Sequence, residues 1–214
     1  MTLILVSGVP ASGKSTMAAY LSEKLDIPMY SKDRIKELLY DTVGFEGRAQ
    51  KVKLGVAAME ILYDIARVSL RRGQSVILEN NFENASRDGL ERLIDECGCH
   101  VLTVMMKGDW RALYERFKRR NTCAERHLGH VVNDCYPPRA GGQTRADTMP
   151  FEAFEHDMRA RGMDLPPVQG PCIEVDTTSL DGIDMAAVAQ RVRAQLTAWE
   201  QACAAPSREG RYAG

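Results

Sequence analysis

The chain has 214 residues, of which 28 are basic and 29 acidic, for a net charge of −1. That length suits one domain with an appended lid, and it excludes two full domains of ordinary size. A near-neutral balance supplies no global field for nucleic acid or an anionic membrane surface, no apolar run approaches the ~20 residues that span a bilayer, and the N-terminus lacks a basic leader and cleavage pattern. A soluble, cytoplasmic protein with no membrane partner is expected.

Residues 3–6, Leu-Ile-Leu-Val, read as a buried strand. Directly after it, Gly8-Val9-Pro10-Ala11-Ser12-Gly13-Lys14-Ser15-Thr16 matches G-x-x-x-x-G-K-[ST] in its strand-to-helix context. Glycines let the backbone wind closely enough for successive N–H groups to point at phosphate oxygens, and the following helix adds the positive end of its dipole. Gly8, Pro10, Ala11, Ser12, Gly13, Lys14, Ser15 and Thr16 are therefore expected to hold a nucleoside triphosphate, taken as ATP. Lys14 would reach the β- and γ-phosphates, and Ser15 would present its hydroxyl to Mg²⁺. No motif separates ATP from GTP.

A helix over residues 14–25 carries Met17, Ala18, Leu21 and Leu25 at helical spacing, and residues 27–30 form a second strand. Ser31 or Lys32 opens a helix through Leu39. After a loop with Gly44 and Gly47, a long helix presents Leu54, Ala58, Ile61, Leu62 and Ile65 as an apolar stripe and ends near Gly73. Residues 75–79 form a third strand, 85–97 a helix, 101–106 a fourth strand and 110–120 a basic helix. The pattern then weakens through Pro137-Pro138, Gly141-Gly142 and Pro166-Pro167, with one helix at about 150–161, so about 121–170 reads as a lid and connection. Residues 173–176 make a fifth strand. The closing helix, 183 to about 203, sets Val188, Val192, Leu196 and Trp199 on one face. The expected organisation is one α/β domain over 1–201 with a frayed tail at 202–214. The six cysteines are scattered, and no structural disulfide is expected.

Ligands of such sheets bind at the C-terminal strand ends, so the residues there decide the chemistry. Asp33, just past the second strand, can orient an acceptor hydroxyl and take its proton, although the position also suits a helix cap. The helix at 110–120 buries Leu113, Tyr114 and Phe117, and its Arg111, Arg116, Lys118, Arg119 and Arg120 could form a solvated face. The charge continues into a loop, however, and arginines there can close over a triphosphate. Arg116 and Arg120 are the first choices, Arg126 the next, and Arg119 the alternative. Cys123, His127, His130 and Cys135 are four good zinc ligands, but no short cysteine pair flanks them. The two histidines are expected at phosphate or acceptor. Asp33, Arg34, Lys36, Glu79, Asn80 and the segment 45–48 should form the acceptor pocket.

With Asp33 in place, the chain resembles the P-loop kinases grouped with polynucleotide 5′-kinases, zeta toxins and the small bacterial kinases of the AAA_33 type. The resemblance rests on Gly8 to Thr16, on Asp33, on Glu79-Asn80-Asn81 at the end of the third strand, and on the arginine-bearing segment that includes Arg126-His127-x-Gly129-His130. It implies a P-loop NTPase fold: a five-stranded parallel sheet of order 2-3-1-4-5, helices on both faces and an arginine-bearing lid. Two departures stand out. The polynucleotide kinases carry an arginine three residues beyond the aspartate, whereas Lys36 is a less directional cation and weakens the case for a phosphate-bearing acceptor. Glu79 replaces the usual aspartate; it would work through metal-bound water, contact the acceptor, or remain a buried structural carboxylate.

Three functions compete on these residues: an ATP-dependent kinase acting on a hydroxyl of a small polar molecule, a polynucleotide 5′-hydroxyl kinase, and an ATPase or switch with no phosphoacceptor. The near-neutral charge and the lack of an aromatic stacking stripe weigh against nucleic acid. Acceptor identity and oligomeric state are not encoded in any local pattern.

Overall fold

The computed structural model describes residues 1–139 and 149–204. Its centre is a sheet of β1 (Thr2–Gly8), β2 (Met29–Ser31), β3 (Val76–Glu79), β4 (His100–Lys107) and β5 (Cys172–Asp176). Every pairing is parallel, and the order β2-β3-β1-β4-β5 is the one the resemblance implied. Parallel neighbours need crossovers. Here these run through α1 (Lys14–Leu25), α2 (Lys32–Val43), α3 (Gly47–Arg71), α4 (Arg87–Cys97), α5 (Trp110–Thr122) and α7 (Phe151–Ala160), and α8 (Met185–Ala204) follows β5. Between α5 and α7 lies a single turn, α6 (Leu128–Val131).

All seven residues of β1 are buried, as a central strand covered on both faces requires. Successive side chains alternate between two cores. Leu3 and Leu5 pack with Leu62, Ala66 and Leu70 of α3 and with Leu90 and Leu93 of α4. Ile4 and Val6 pack with Met17 and Leu21 of α1 and with Val188 and Val192 of α8. No helix among the described residues is long and apolar enough to cross a membrane.

Two smaller clusters position the site. Val9 of the glycine-rich loop is buried with Leu113 of α5 and with Phe154, Met158 and Met163 from α7 and just beyond. Tyr40 of α2 packs with Phe45 and Val132, anchoring the chain that follows α5 onto α2. There Phe45–Glu46 and Cys135–Tyr136 form a short antiparallel ladder. The close approach depends on Gly129, because a Cβ at that position would stand 2.4 Å from the Tyr40 ring.

Two expectations change. The buried face of α3 is Ala58, Met59, Leu62, Tyr63, Ala66 and Leu70, while Ile61 is 40% exposed, because α3 packs against α4 as well as the sheet and so turns a wider face inward. Helix α2 continues past Leu39 to Val43 and stops at Gly44, whose φ of +71° suits glycine and whose N–H donates to Tyr40 O. Helix α8 ends at Ala204, close to the expected end near 203 and just inside the span 202–214 expected to fray; residues 205–214 lie outside the described residues, as do 140–148 of the expected lid and connection.

The revised face of α3 is testable by urea unfolding. Leu62→Ala should cost about 2–5 kcal/mol of stability, and Ile61→Ala no more than about 0.5 kcal/mol. Similar losses at the two positions would contradict this packing.

Candidate active site

The glycine-rich loop leaves β1 through Gly8 (φ +143°), Ala11 (φ +65°) and Gly13 (φ +86°). A Cβ on Gly8 would lie 2.3 Å from Met106 O of β4, so only glycine lets the loop turn this close to the sheet. Lys14 is buried, and its Nζ donates to Val9 O at 2.8 Å. Burial pushes its ammonium down to about 8, against the pull of Glu79 and Asp33 in the opposite direction. Ser12 Oγ is buried with no hydrogen-bond partner inside the cradle. A buried polar atom left unsatisfied in this way fits a loop built to receive phosphate oxygens.

Parallel register brings Ser31, the last residue of β2, level with Glu79 of β3, which is level with Val6 of β1. Ser31 is placed to cap α2, yet its hydroxyl donates to Glu79 Oε2 at 2.6 Å. Burial raises the Glu79 carboxyl above its usual range, while Lys14 and the hydroxyls of Ser31 and Ser15 act in the opposite direction. Glu79 and Asn80 thus line the same cavity as Lys14, Ser15, Thr16 and Asp33, a space of about 610 Å³.

Helix α2 aims Asp33, Lys36, Glu37, Tyr40 and Asp41 toward the chain after α5, at the three- and four-residue spacing of one helix face. Asp33 Oδ2 lies 3.7 Å from Arg126 Nη2, His130 Nε2 lies 2.9 Å from Glu37 Oε1, and His127 Nε2 lies 3.0 Å from Asp41 Oδ1. The Tyr136 hydroxyl also donates to Asp41 Oδ1, at 2.7 Å. Gly129 N–H donates to His127 Nδ1, which places the ring proton on Nε2, facing Asp41. Burial pushes the Asp33 carboxyl up, but the neighbouring His130, Arg126, Lys36 and Arg120 outweigh burial and hold it below its ordinary value; burial pushes His130 itself down, so the standing positive charges at neutral pH are Arg126, Lys36 and Arg120. Asp33 is therefore ionised at neutral pH.

Three guanidinium groups face the same cavity. Arg116 donates from Nε to Ala112 O, while its two Nη atoms, Arg120 Nε and Arg126 Nε are buried without a partner. Burial and the neighbouring Arg126 push Arg120 down to about 10. Unpaired buried donors carry a desolvation penalty that a polyanion would relieve. Arg119, the alternative expected from the sequence, also lines this cavity.

Other expectations are corrected. Arg34 is exposed and lines neither this cavity nor its neighbour, because one helical step carries it about 100° away from the Asp33 face. Phe45 is a core residue, and of the segment 45–48 only Arg48 lines a cavity. His127 and His130 hydrogen-bond the α2 carboxylates Asp41 and Glu37, and of the two only His130 also lines the donor cavity; no group of three or more metal-ligating side chains is found among the described residues, so Cys123, His127, His130 and Cys135 do not come together as a ligand set. Lys51 was missed. It falls three residues after Arg48 on the first turns of α3, a pairing that apolar periodicity does not flag.

The family model described as an AAA domain, AAA_33, matches residues 3–132. A crystal structure of a provisionally named kinase from Chloroflexus aurantiacus J-10-fl is 32% identical, covering 90% of this chain and 96% of that one with a TM-score of 0.73. Shikimate kinase from Bacteroides thetaiotaomicron is 14% identical over 92% of this chain and 98% of its own, with a TM-score of 0.55, and shares the fold alone. The same holds for Mycobacterium tuberculosis APS kinase in complex with AMPPNP and APS, at 15% identity, 92% and 97% coverage and a TM-score of 0.54. No curated protein sequence matches. The phosphate cradle, the parallel strand order and the match over residues 3–132 together place the chain in the AAA domain family AAA_33, with a P-loop kinase fold.

Proposed function

We propose that the protein is an ATP-dependent kinase that transfers the γ-phosphoryl group to a hydroxyl of a small polar molecule. The observation that carries this reading is the convergence of the Asp33 carboxylate and the guanidinium groups of Arg116, Arg120 and Arg126 on the cavity that contains Lys14 and Ser15. A site that only bound nucleotide would need the cradle and Lys14, not a carboxylate across the cavity from them.

In this mechanism the cradle and Lys14 hold the triphosphate. Asp33 accepts a hydrogen bond from the acceptor hydroxyl and orients it toward the γ-phosphorus. As the new O–P bond forms and the bond to the β-phosphate oxygen breaks, the hydroxyl proton passes to Asp33. A carboxylate of low basicity is suited to late proton transfer, as phosphoryl transfer through a loose transition state requires. Arg116, Arg120 and Arg126 absorb negative charge on the transferring group. Ser15 and Glu79 are neighbouring hard oxygen donors at the cradle and fit Mg²⁺, which when bound would neutralise phosphate charge. Arg126 also holds Asp33 and aligns it.

Mass-shift screening of a metabolite panel with Mg-ATP should find an acceptor that gains one phosphoryl group. Asp33→Asn should then lower transfer on the order of 10²–10⁴-fold while ATP affinity changes little; unaltered transfer would remove Asp33 from the mechanism. ATP turnover with no phosphorylated acceptor would support the switch reading. Preference for a 5′-hydroxyl oligonucleotide over every small molecule would support the polynucleotide reading.

Nucleotide binding should also depend on pH in a defined direction. The Lys14 ammonium sits at about 8 in the empty site, and triphosphate raises it, so binding takes up protons above that pH. Affinity should be flat below about 8 and should fall as pH rises beyond it. Calorimetry in buffers of different ionisation enthalpy would measure the uptake; proton release there would contradict the assignment.

A further inference from the structure

Beside the donor cavity lies a second one of about 770 Å³ between α2, α3 and the chain around residues 130–133. The two share Lys36, Phe117 and His130 as walls, so they adjoin. The acidic side chains of the second cavity are Glu60, Asp88 and Glu83. Glu83 is taken by Arg161, with Nη2 2.7 Å from Oε1. Glu60 and Asp88 belong to the middle of α3 and the start of α4, away from α3's first turns. The end beside Asp33 is different: Lys36, Arg48 and Lys51 line it, and none of them is in an ion pair with a described residue.

Of the nearby carboxylates on α2, Asp33 is paired with Arg126, while Glu37 and Asp41 share hydrogen bonds with His130 and His127. Burial pushes His130 below its ordinary value, so its bond does not cancel the Glu37 charge, but neither Glu37 nor Asp41 lines the second cavity. Lys51 Nζ donates to three neutral oxygens, His130 O, Val132 O and Asn133 Oδ1. These bonds fix its position and leave its charge unbalanced. Lys36 Nζ sits 5.6 Å from the centre of the Tyr40 ring and feels the Asp33 carboxylate, though it forms no ion pair with it. Burial above all, and to a lesser degree the neighbouring Lys36 and Arg48, push the Lys51 ammonium down to about 8. Such a cluster stores repulsion that an anion would relieve.

We infer that the acceptor is itself an anion: a compact oxyanion, phosphate monoester or carboxylate, sits between Lys36 and Arg48 against the fixed charge of Lys51, while the molecule's hydroxyl faces Asp33. The hydroxyl half rests on the kinase reading; the oxyanion site does not. Lys36 and Asp33 are separated by about one helical turn, roughly 5–6 Å between side-chain origins, so the oxyanion lies a few bonds from the reacting hydroxyl and the molecule is small. Lys36 alone is a poorly directional phosphate ligand, but Arg48 supplies a planar fork from the opposite wall.

Inorganic phosphate is the probe, titrated by calorimetry into full-length protein whose donor site is filled with Mg-AMPPNP. Saturable binding is expected, weakened about tenfold or more in Arg48→Met, in line with the loss of a charge-assisted contact, and weakened also in Lys51→Met through the loss of a nearby unit charge, since the three Lys51 N–H groups are already donated to protein oxygens. Arg48 is exposed and makes no internal hydrogen bond, so its variant tests the site even if Lys51→Met unfolds. Absence of saturable phosphate binding, or binding unchanged in Arg48→Met, overturns the inference. A second arm compares neutral polyols with their phosphorylated and carboxylated counterparts as acceptors with Mg-ATP. Transfer to anionic members, with KM raised and kcat retained in Arg48→Met, supports the site and separates phosphate from carboxylate. Equal transfer to neutral members overturns it. Intact phosphate binding with no transfer to any member instead counts against the kinase reading.

Discussion

Everything at the site hangs on how β1 ends. The strand is buried along its whole length between β3 and β4, so its last residue, Gly8, emerges against the Met106 carbonyl with no room for a side chain. A left-handed backbone at Gly8, Ala11 and Gly13 is the consequence, and it turns the loop's N–H groups inward just before α1 begins. The same in-register sheet sets Ser31 and Glu79 beside that turn. Packing of Val9 against Leu113 and Phe154 then ties the loop to α5, the helix that delivers Arg116 and Arg120. The glycine-rich cradle, the Glu79 carboxylate beside it and the arginines facing it are therefore consequences of one buried strand and its two neighbours.

The opposite wall follows a different logic. Helix α2 presents carboxylates at positions 33, 37 and 41, and the chain after α5 answers with Arg126, His130 and His127. These three pairs, with Tyr40 beneath them, lay that chain along α2 and enclose Asp33 among cations. Each pair is partly open to water, and single pairs of this kind contribute little stability. Their combined effect is positional: they hold Arg126 and His130 where the donor cavity and the second cavity meet. Lys36, Arg48 and Lys51 line the neighbouring cavity with no ion pair to a described residue.

Much of this was readable in the sequence wherever a signal is local. Strand and helix alternation, the glycine-lysine-serine spacing and the carboxylate after the second strand all survive because each depends on a few consecutive residues and on periodicities of two or 3.6. Two expectations failed at neighbouring positions: Arg34 points away while Lys36 points in, and Ile61 is exposed while Met59 is buried. Both are errors of helix rotation. The main strands and helices stand where they were expected, while the short ladder of Phe45–Glu46 with Cys135–Tyr136 and the turn α6 were not foreseen; a helix face is chosen by what it packs against, which a linear pattern specifies only loosely.

The sequence by itself determined the kind of site, a glycine-rich cradle at the end of a parallel strand with a carboxylate and arginines at neighbouring strand ends, because the backbone conformation at Gly8–Thr16 follows from local chemistry; the strand order came from the family resemblance those residues carry. Only the tertiary structure decided which charges meet. The histidines that read as ligands became partners of Glu37 and Asp41, Glu79 turned to Ser31, and Arg48 and Lys51 joined Lys36 from a helix folded back across α2. Those encounters join residues that are far apart along the chain, and electrostatic balance between them exists only once the core has brought their helices together.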